Sequence, residues 1–142
     1  MNLVVDANVI IAAMLRDSAA RRLILTLPFK LYCPDFVFEE ISKHLELISR
    51  KNSLSIEDNE KFLEILSKYI KTVEYELYRK NLSQAEKIIG SVDKNDAPYI
   101  ALATSLKADG IWTEDRHFLK QEKVKVWKTE TLLKFAPLRS TE

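Results

Sequence analysis

Near the N-terminus the sequence reads Leu3-Val4-Val5-Asp6-Ala7-Asn8, an apolar run followed by two polar residues. A short, continuous run of aliphatic residues is typical of a strand buried on both faces of a parallel sheet. We therefore predict a strand over residues 3–5 with the Asp6 carboxylate at its carboxyl end. Ligands bind at that edge of open α/β sheets, so Asp6 is a candidate site residue.

Three further acidic residues stand at the edges of apolar segments: Glu40, Asp96 and Asp115. Glu40 lies in a predicted helix over residues 35–50, Asp96 opens the apolar stretch 97–103, and Asp115 follows the strand-like run 111–113. Converging carboxylates repel one another unless cations neutralise them, so the pattern indicates a hard divalent metal ion. Taken singly, each acid has a structural alternative: Asp6 in a turn, Asp96 as a helix cap and Asp115 in a loop.

Glu39 and Glu40 are neighbours of one residue type for which the sequence predicts different environments. Glu39 stands four residues before Lys43, the favoured order for an exposed ion pair on a helix. Glu40 shares a side with Val37 and His44, next to the apolar stripe of the helix. We therefore expect Glu39 to be solvated and Glu40 to face the site.

Strand-like and helical segments alternate along the chain, which predicts an α/β domain with a mainly parallel central sheet. The segment between residues 35 and 91 is almost entirely helical in pattern and is expected to form a helical arm beside the sheet. We expect a single domain over residues 1–142, large enough for one core, with a frayed tail at 139–142.

The composition excludes several classes of site. There are only two glycines, Gly90 and Gly110, so neither a P-loop nor a dinucleotide-binding fingerprint is possible. One cysteine and two histidines cannot supply a usual zinc site. Cys33 lies in an apolar run and is expected to be buried and inert.

Several features bear on the location of the protein and on its partners. The longest apolar run, 9–15, is too short to cross a bilayer, and the first residues lack the features of a signal peptide. A single thiol cannot form an internal disulfide, so we expect a cytoplasmic protein with no membrane partner. The net charge is +1, but basic residues cluster in the first third and suit either a phosphate backbone or solvent; they are Arg16, Arg21, Arg22, Lys43, Arg50 and Lys51.

Taken together, the segments around the four acids resemble the PIN-domain ribonucleases, which include the VapC-type toxins of toxin–antitoxin pairs. The resemblance covers essentially the whole chain and is carried by residues 4–9, 34–41, 93–98 with the Ala-rich helix that follows, and 111–115. It implies a three-layer α/β/α sandwich and cleavage of single-stranded RNA with Mg²⁺ or Mn²⁺. By this resemblance, the metal-binding and catalytic acids of the family correspond to Asp6, Glu40, Asp96 and Asp115. The polar residues that order the site correspond to Asn8 and Thr113.

The chain departs from this family pattern at two positions. Many relatives have Gly where Glu114 stands and a further Asp where His117 stands. His117 could donate to a phosphate or lie on the surface, and Glu114 could substitute as an acid or point elsewhere. Asp93, three residues before Asp96, is either a supporting acid or a solvated loop residue.

These observations predict a metal-dependent endoribonuclease that needs no covalent nucleophile, and the resemblance implies the toxin of a toxin–antitoxin pair as its cellular role. Tyr75, Tyr78 or Trp112 could stack RNA bases, with core packing as the alternative for Trp112. The expected partners are RNA, an antitoxin protein and a second copy of the chain, and no nucleotide cofactor is expected. The homodimer is suggested by the family and by surplus apolar side chains on segments 36–48 and 62–70.

Two other functional classes remain open at this stage. One is a non-catalytic PIN-fold module that binds RNA or protein, which His117 in place of an acid would favour. The other is an aspartyl-phosphate phosphohydrolase or receiver domain, which also places Asp after its first strand. The phosphohydrolase type normally has a second Asp two residues after the first, and this chain has Asn8 at that position.

Overall fold

The computed structural model describes residues 1–15, 18–89 and 94–137. Within these residues one parallel sheet has the strand order β3-β2-β1-β4-β5. Its strands are β1 (Asn2–Val5), β2 (Lys30–Pro34), β3 (Ile70–Val73), β4 (Gly110–Trp112) and β5 (Val126–Trp127). Leu3, Val4 and Val5 are fully buried because β1 is the central strand, paired with β2 on one side and β4 on the other.

The α-helices of the described part of the chain are α1 (Ala7–Leu15), α2 (Ala19–Thr26), α3 (Val37–Ser42), α4 (Leu45–Asn52), α5 (Ile56–Ser67), α6 (Tyr75–Tyr78), α7 (Leu82–Ile89), α8 (Ala97–Leu106) and α9 (Thr129–Leu132). Short 3₁₀ helices lie at Arg79–Asn81, Lys94–Asp96, Arg116–Lys120 and Leu133–Phe135. None of the helices in this part of the chain combines the length and the apolar character needed to cross a membrane.

The helices form two layers against the sheet. Helix α1 packs with α2, α3, α4 and α5, whereas α8 packs on β1, β2 and β4 and contacts α6 and α7. The Ala-rich sequence of α8 explains its position, because small buried residues such as Ala97, Ala101 and Ala103 let a helix approach the sheet closely. The predicted α/β/α sandwich with a parallel sheet is therefore confirmed.

The described part of the predicted helical segment, residues 35–89, has the expected mainly helical character. It contributes β3 to the edge of the sheet, and its helices α4 and α5 pack against each other and against α1. Leu45, Ile48 and Leu63 are buried there. The expected helical arm thus packs against α1 and, through α5, against β3 at the edge of the sheet.

The predicted helix over residues 35–50 is wrong in one respect, because it is divided into α3 and α4. Asp35 does not cap α3, which follows Phe36 without a side-chain cap. Its carboxylate instead accepts hydrogen bonds from the Tyr75 backbone N–H and the Tyr78 hydroxyl, each at 2.9 Å. These tertiary bonds tie the end of β2 to the start of α6 and replace the local cap.

Cys33 has the environment predicted for it. The side chain is fully buried in β2, and burial raises the pKa of the thiol to about 12. A thiol with this pKa remains protonated at neutral pH and is therefore a poor nucleophile. Arg16 and the tail 139–142 lie outside the described residues.

Candidate metal centre

Asp6 and Thr113 form the buried base of the site, at the carboxyl ends of the neighbouring strands β1 and β4. The Thr113 hydroxyl donates to Asp6 Oδ2 at 2.7 Å, and the other oxygen, Oδ1, accepts from the Asn8 backbone N–H at 3.3 Å. Thr113 is completely buried and Asp6 is only 5% exposed. Both oxygens of the Asp6 carboxylate are thus held in fixed directions.

Asp115 continues this network away from β4. Its backbone N–H donates to Thr113 Oγ1 at 2.9 Å, and its Oδ1 accepts from the His117 backbone N–H at 2.9 Å. The second bond caps the 3₁₀ helix Arg116–Lys120. As a result, one Thr hydroxyl contacts both the Asp6 carboxylate and the Asp115 backbone, which follow the neighbouring strands β1 and β4.

Asp96, Asp115 and His117 form a compact cluster. One potential ligand atom from each residue lies within 4.8 Å of the other two. His117 Nδ1 is 3.4 Å from Asp115 Oδ1 and 3.6 Å from Asp96 Oδ2. Asp96 is nearly buried and precedes α8 without accepting a cap hydrogen bond, so the structure does not support its alternative role as a helix cap.

Glu40 is the fourth of the predicted acidic residues at this site. A cavity of about 630 Å³ at this edge of the sheet is lined by Glu40 together with Asp6, Asn8, Asp96 and Asp115. The Glu40 side chain is 55% exposed, so it lies at the mouth of the cavity rather than at its base. Glu39 does not line the cavity, which agrees with the predicted difference between these neighbours.

The predicted ion pair on this helix is wrong. Lys43 Nζ lies 3.6 Å from Glu40 Oε1, so Lys43 pairs with Glu40 rather than with Glu39. The reason is local: the Lys43 N–H bonds to the Glu40 carbonyl as α3 ends. Such a tightened last turn brings residues three apart into line, whereas a continuing α-helix would favour residues four apart.

The electrostatics of the site fit a divalent cation. Burial raises the pKa of Asp6, the Thr113 and Asn8 hydrogen bonds oppose this shift, and the charge of Asp115 adds to it. Burial and the Asp6 charge also raise the pKa of Tyr99, whose hydroxyl accepts from the Ala7 N–H at 3.3 Å. These two shifts show a low-dielectric site with excess negative charge, which a cation would relieve.

A second observation concerns His117. Its Nδ1 atom is shielded from solvent and has no hydrogen-bond partner within the described residues. Polar atoms in such positions normally have partners. The donor set of carboxylates with one imidazole therefore fits a bound metal ion.

The remaining predicted residues differ in whether their side chains contribute to the site. Asn8 lines the cavity and Thr113 organises its base, as expected of supporting residues. Glu114 points away from the site, because its carboxylate accepts from the Thr129 N–H at the start of α9, at 2.9 Å. Asp93 lies outside the described residues. The His117 side chain is 45% exposed, and its Nδ1 atom lies near the carboxylates of Asp96 and Asp115.

Two of the three aromatic residues suggested for base stacking cannot take that role. Trp112 is fully buried, and its indole N–H donates to Thr129 Oγ1 at 3.0 Å. Tyr78 is 3% exposed and bonded to Asp35, whereas Tyr75 is accessible. Core packing, the alternative predicted for Trp112, is confirmed.

Sequence reasoning missed several residues in the cavity wall. Lys94, Phe36 and Tyr99 line it together with the acids. Lys94 adds a cation beside the carboxylates, and its place two residues before Asp96 was the available signal. Phe36 and Tyr99 pack edge to face, with ring centroids 6.3 Å apart, but no local pattern could have paired them.

Comparison with known proteins identifies the family. No curated protein matches the chain. A family model described as PIN domain matches residues 4–135 and thus includes Asp6, Glu40, Asp96 and Asp115. The match covers most of the chain, and the chain therefore belongs to the PIN domain family.

Proposed function

We propose that this protein is a metal-dependent endoribonuclease that hydrolyses phosphodiester bonds of single-stranded RNA. The observation that carries the proposal is the convergence of four carboxylates on one cavity at the carboxyl edge of the sheet. They come from parts of the chain as far apart as Asp6 and Asp115, and the buried hydroxyl of Thr113 contacts both the Asp6 carboxylate and the Asp115 backbone. A set with no catalytic role would have no evident reason to keep Asp6 and Asp96 almost buried.

The metal is proposed to be Mg²⁺ or Mn²⁺, held by Asp6, Asp96 and Asp115 with Glu40 at the cavity mouth. The chemistry that a bound divalent cation supplies is activation of water and neutralisation of charge on the phosphate. Thr113 holds the Asp6 carboxylate and the His117 backbone N–H holds the Asp115 carboxylate, so little reorganisation is required when charge develops. The Glu40 carboxylate is exposed enough to accept a proton from a water molecule at the mouth of the cavity.

The cationic residues at the rim suit an RNA backbone. Lys94 lines the cavity and Lys43 lies beside Glu40, so each can contact a phosphate next to the reacting one. Phe36 and the accessible Tyr75 are the aromatic candidates for contact with unpaired bases. The proposed substrate is therefore an unpaired strand, which can enter an open cavity with its bases free to stack.

The proposed partners also include a second copy of the chain and an antitoxin protein in the cytoplasm. Leu47, Leu54, Ile56 and Ile65, all on or beside α4 and α5, are each more than 40% exposed. Such a concentration of exposed apolar side chains suits a protein interface. Light scattering at tens of micromolar tests the dimer, because a monomer mass there would contradict it.

Cleavage of a mixed RNA pool tests the activity. The wild type should cleave with Mn²⁺ and not with chelator, and Asp96→Asn should lose activity. Asp58→Asn is the matched control, because Asp58 is an exposed residue in the first turn of α5, far from the cavity wall. The proposal fails if the wild type is inactive with either metal, or if both variants retain full activity.

A further inference from the structure

We propose that His117 is a metal ligand of this site and shifts its preference from Mg²⁺ toward transition-metal ions. The site would join Nδ1 of His117 to the carboxylates of Asp96 and Asp115. This inference rests on the proposed metal-dependent function and identifies which ions that function would use. It concerns the position where relatives commonly carry a further acid.

The distances around His117 Nδ1 suit shared coordination better than hydrogen bonding. Its separations of 3.4 Å from Asp115 and 3.6 Å from Asp96 exceed the range of about 2.7–3.2 Å expected of an N–H···O bond. Two ligands bound to one ion at about 2.1 Å are roughly 3.0 Å apart at a right angle and roughly 3.4 Å apart at a tetrahedral angle. The distance from His117 Nδ1 to each carboxylate oxygen is thus close to that between neighbouring ligands of one ion.

The local structure holds the imidazole in this place. The His117 N–H is bonded to Asp115, and the next residue, Phe118, is completely buried. Phe118 packs edge to face against Tyr99, with ring centroids 6.0 Å apart, and Tyr99 in turn bonds to the first residue of α1. The turn that carries His117 is therefore anchored on both sides, which is how proteins preorganise metal ligands.

The chemical identity of the donor determines the expected selectivity. Mg²⁺ prefers oxygen ligands and retains water, whereas imidazole nitrogen suits transition-metal ions. A neutral imidazole in place of a carboxylate also removes one negative charge from a crowded acidic site. The loss of that charge weakens the binding of hard ions such as Mg²⁺. The imidazole nitrogen offsets this loss of affinity only for transition-metal ions, which bind nitrogen well.

The alternative is that His117 sits beside the site and donates to a phosphate of the substrate. His117 is not part of the cavity wall, although Asp96 and Asp115 are. In that case its removal would weaken RNA binding and leave metal binding unchanged. The two roles therefore differ in a measurement that contains no RNA.

Pulsed electron paramagnetic resonance of bound Mn²⁺ provides this measurement, because a coordinated imidazole gives a nitrogen coupling. The chain has two histidines, and the other, His44, is exposed before α4. In His44→Gln the only remaining histidine is His117, so the coupling should persist and should change on ¹⁵N-histidine labelling. This arm needs no substitution at the site and is independent of any folding defect there.

Metal titration of variants provides the second arm. His117→Asp should still bind Mn²⁺ but lose the nitrogen coupling, and its Mn²⁺-to-Mg²⁺ affinity ratio should fall by at least ~10-fold, a modest effect for a change at a metal ligand. His44→Gln should keep the wild-type ratio. Bound Mn²⁺ without histidine coupling in His44→Gln would overturn the role of His117 and leave the nuclease proposal standing. Failure of the wild type to bind either ion would overturn both.

Discussion

Thr113→Val is a sharp test of how this site is held together. The substitution keeps the shape of the side chain but removes its hydroxyl, which donates to Asp6 at 2.7 Å and accepts from the Asp115 N–H at 2.9 Å. The residue is fully buried, so water cannot easily replace either partner. The change therefore leaves an acidic oxygen and a backbone donor without their partner.

The magnitude follows from the two bonds. A hydrogen bond to a charged group contributes about 1.5–3 kcal/mol and a neutral one about 1 kcal/mol. We therefore expect the free energy of unfolding to fall by roughly 2.5–4 kcal/mol, a large share of the stability of a domain of this size. Because the Thr113 bond lowers the pKa of Asp6, its removal should raise that pKa further.

Urea unfolding measures this loss, with Thr104→Val as the matched control. Thr104 is exposed on α8, and its hydroxyl donates to the Ile100 carbonyl at 2.9 Å. Its replacement should change stability by no more than about 0.5 kcal/mol, as is usual for surface sites. Equal midpoints for the two variants would refute the idea that Thr113 supports the site.

The pH dependence gives a second readout on the same variant. A carboxyl group with a raised folded pKa stabilises the fold while it is protonated and destabilises it as pH rises through that pKa. Thr113→Val raises the Asp6 pKa further, so its deficit should increase as pH rises from the ordinary value of 3.8 toward neutrality. A deficit that is constant across this range would show that Asp6 is not the group affected.

Three further outcomes are expected. Glu40→Gln should lower RNA cleavage by ~10²-fold or more, as for loss of a positioned proton acceptor, whereas Glu39→Gln should cleave like the wild type. If instead Glu39→Gln alone is inactive, the site has been assigned to the wrong side of α3. Mn²⁺ should raise the melting temperature of the wild type more than that of Asp96→Asn, since a ligand that binds only the native state stabilises it; equal shifts would count against a metal at Asp96. Cys33, with a pKa of about 12, should react with a thiol reagent ~10²-fold more slowly in the native than in the denatured protein, and similar rates would contradict its burial.

The sequence was most informative where an acidic residue directly follows an apolar strand. An aliphatic run such as 3–5 has few stable environments other than the centre of a parallel sheet, so the position of Asp6 followed directly. Asp115 could be placed in the same way after β4. Helical spacing placed Glu40 on the side that lines the cavity, although α3 is short, because the buried Val37 and Ile41 determine which side of the helix faces inward.

The orientations of Glu114 and His117 could not be predicted, because they depend on contacts between distant parts of the chain. Glu114 accepts a hydrogen bond from Thr129, fifteen residues later, and this bond exists only once α9 has packed. His117 Nδ1 lies near Asp96, twenty-one residues earlier, and this contact exists only once α8 and β4 have packed. Each side chain had two reasonable local environments, and tertiary packing selected between them.

The geometry of the site depends in the end on the register of β1 and β4. Val5 is paired with Trp112, and the Asp6 N–H continues the ladder by bonding to the Trp112 carbonyl at 3.0 Å. This register places Asp6 beside Thr113 with both side chains directed into the site. A slip of one residue would turn one of them to the opposite face, since alternate residues of a strand face opposite sides. Substitutions in the apolar core that loosen this pairing should therefore weaken metal binding even when every ligand is intact.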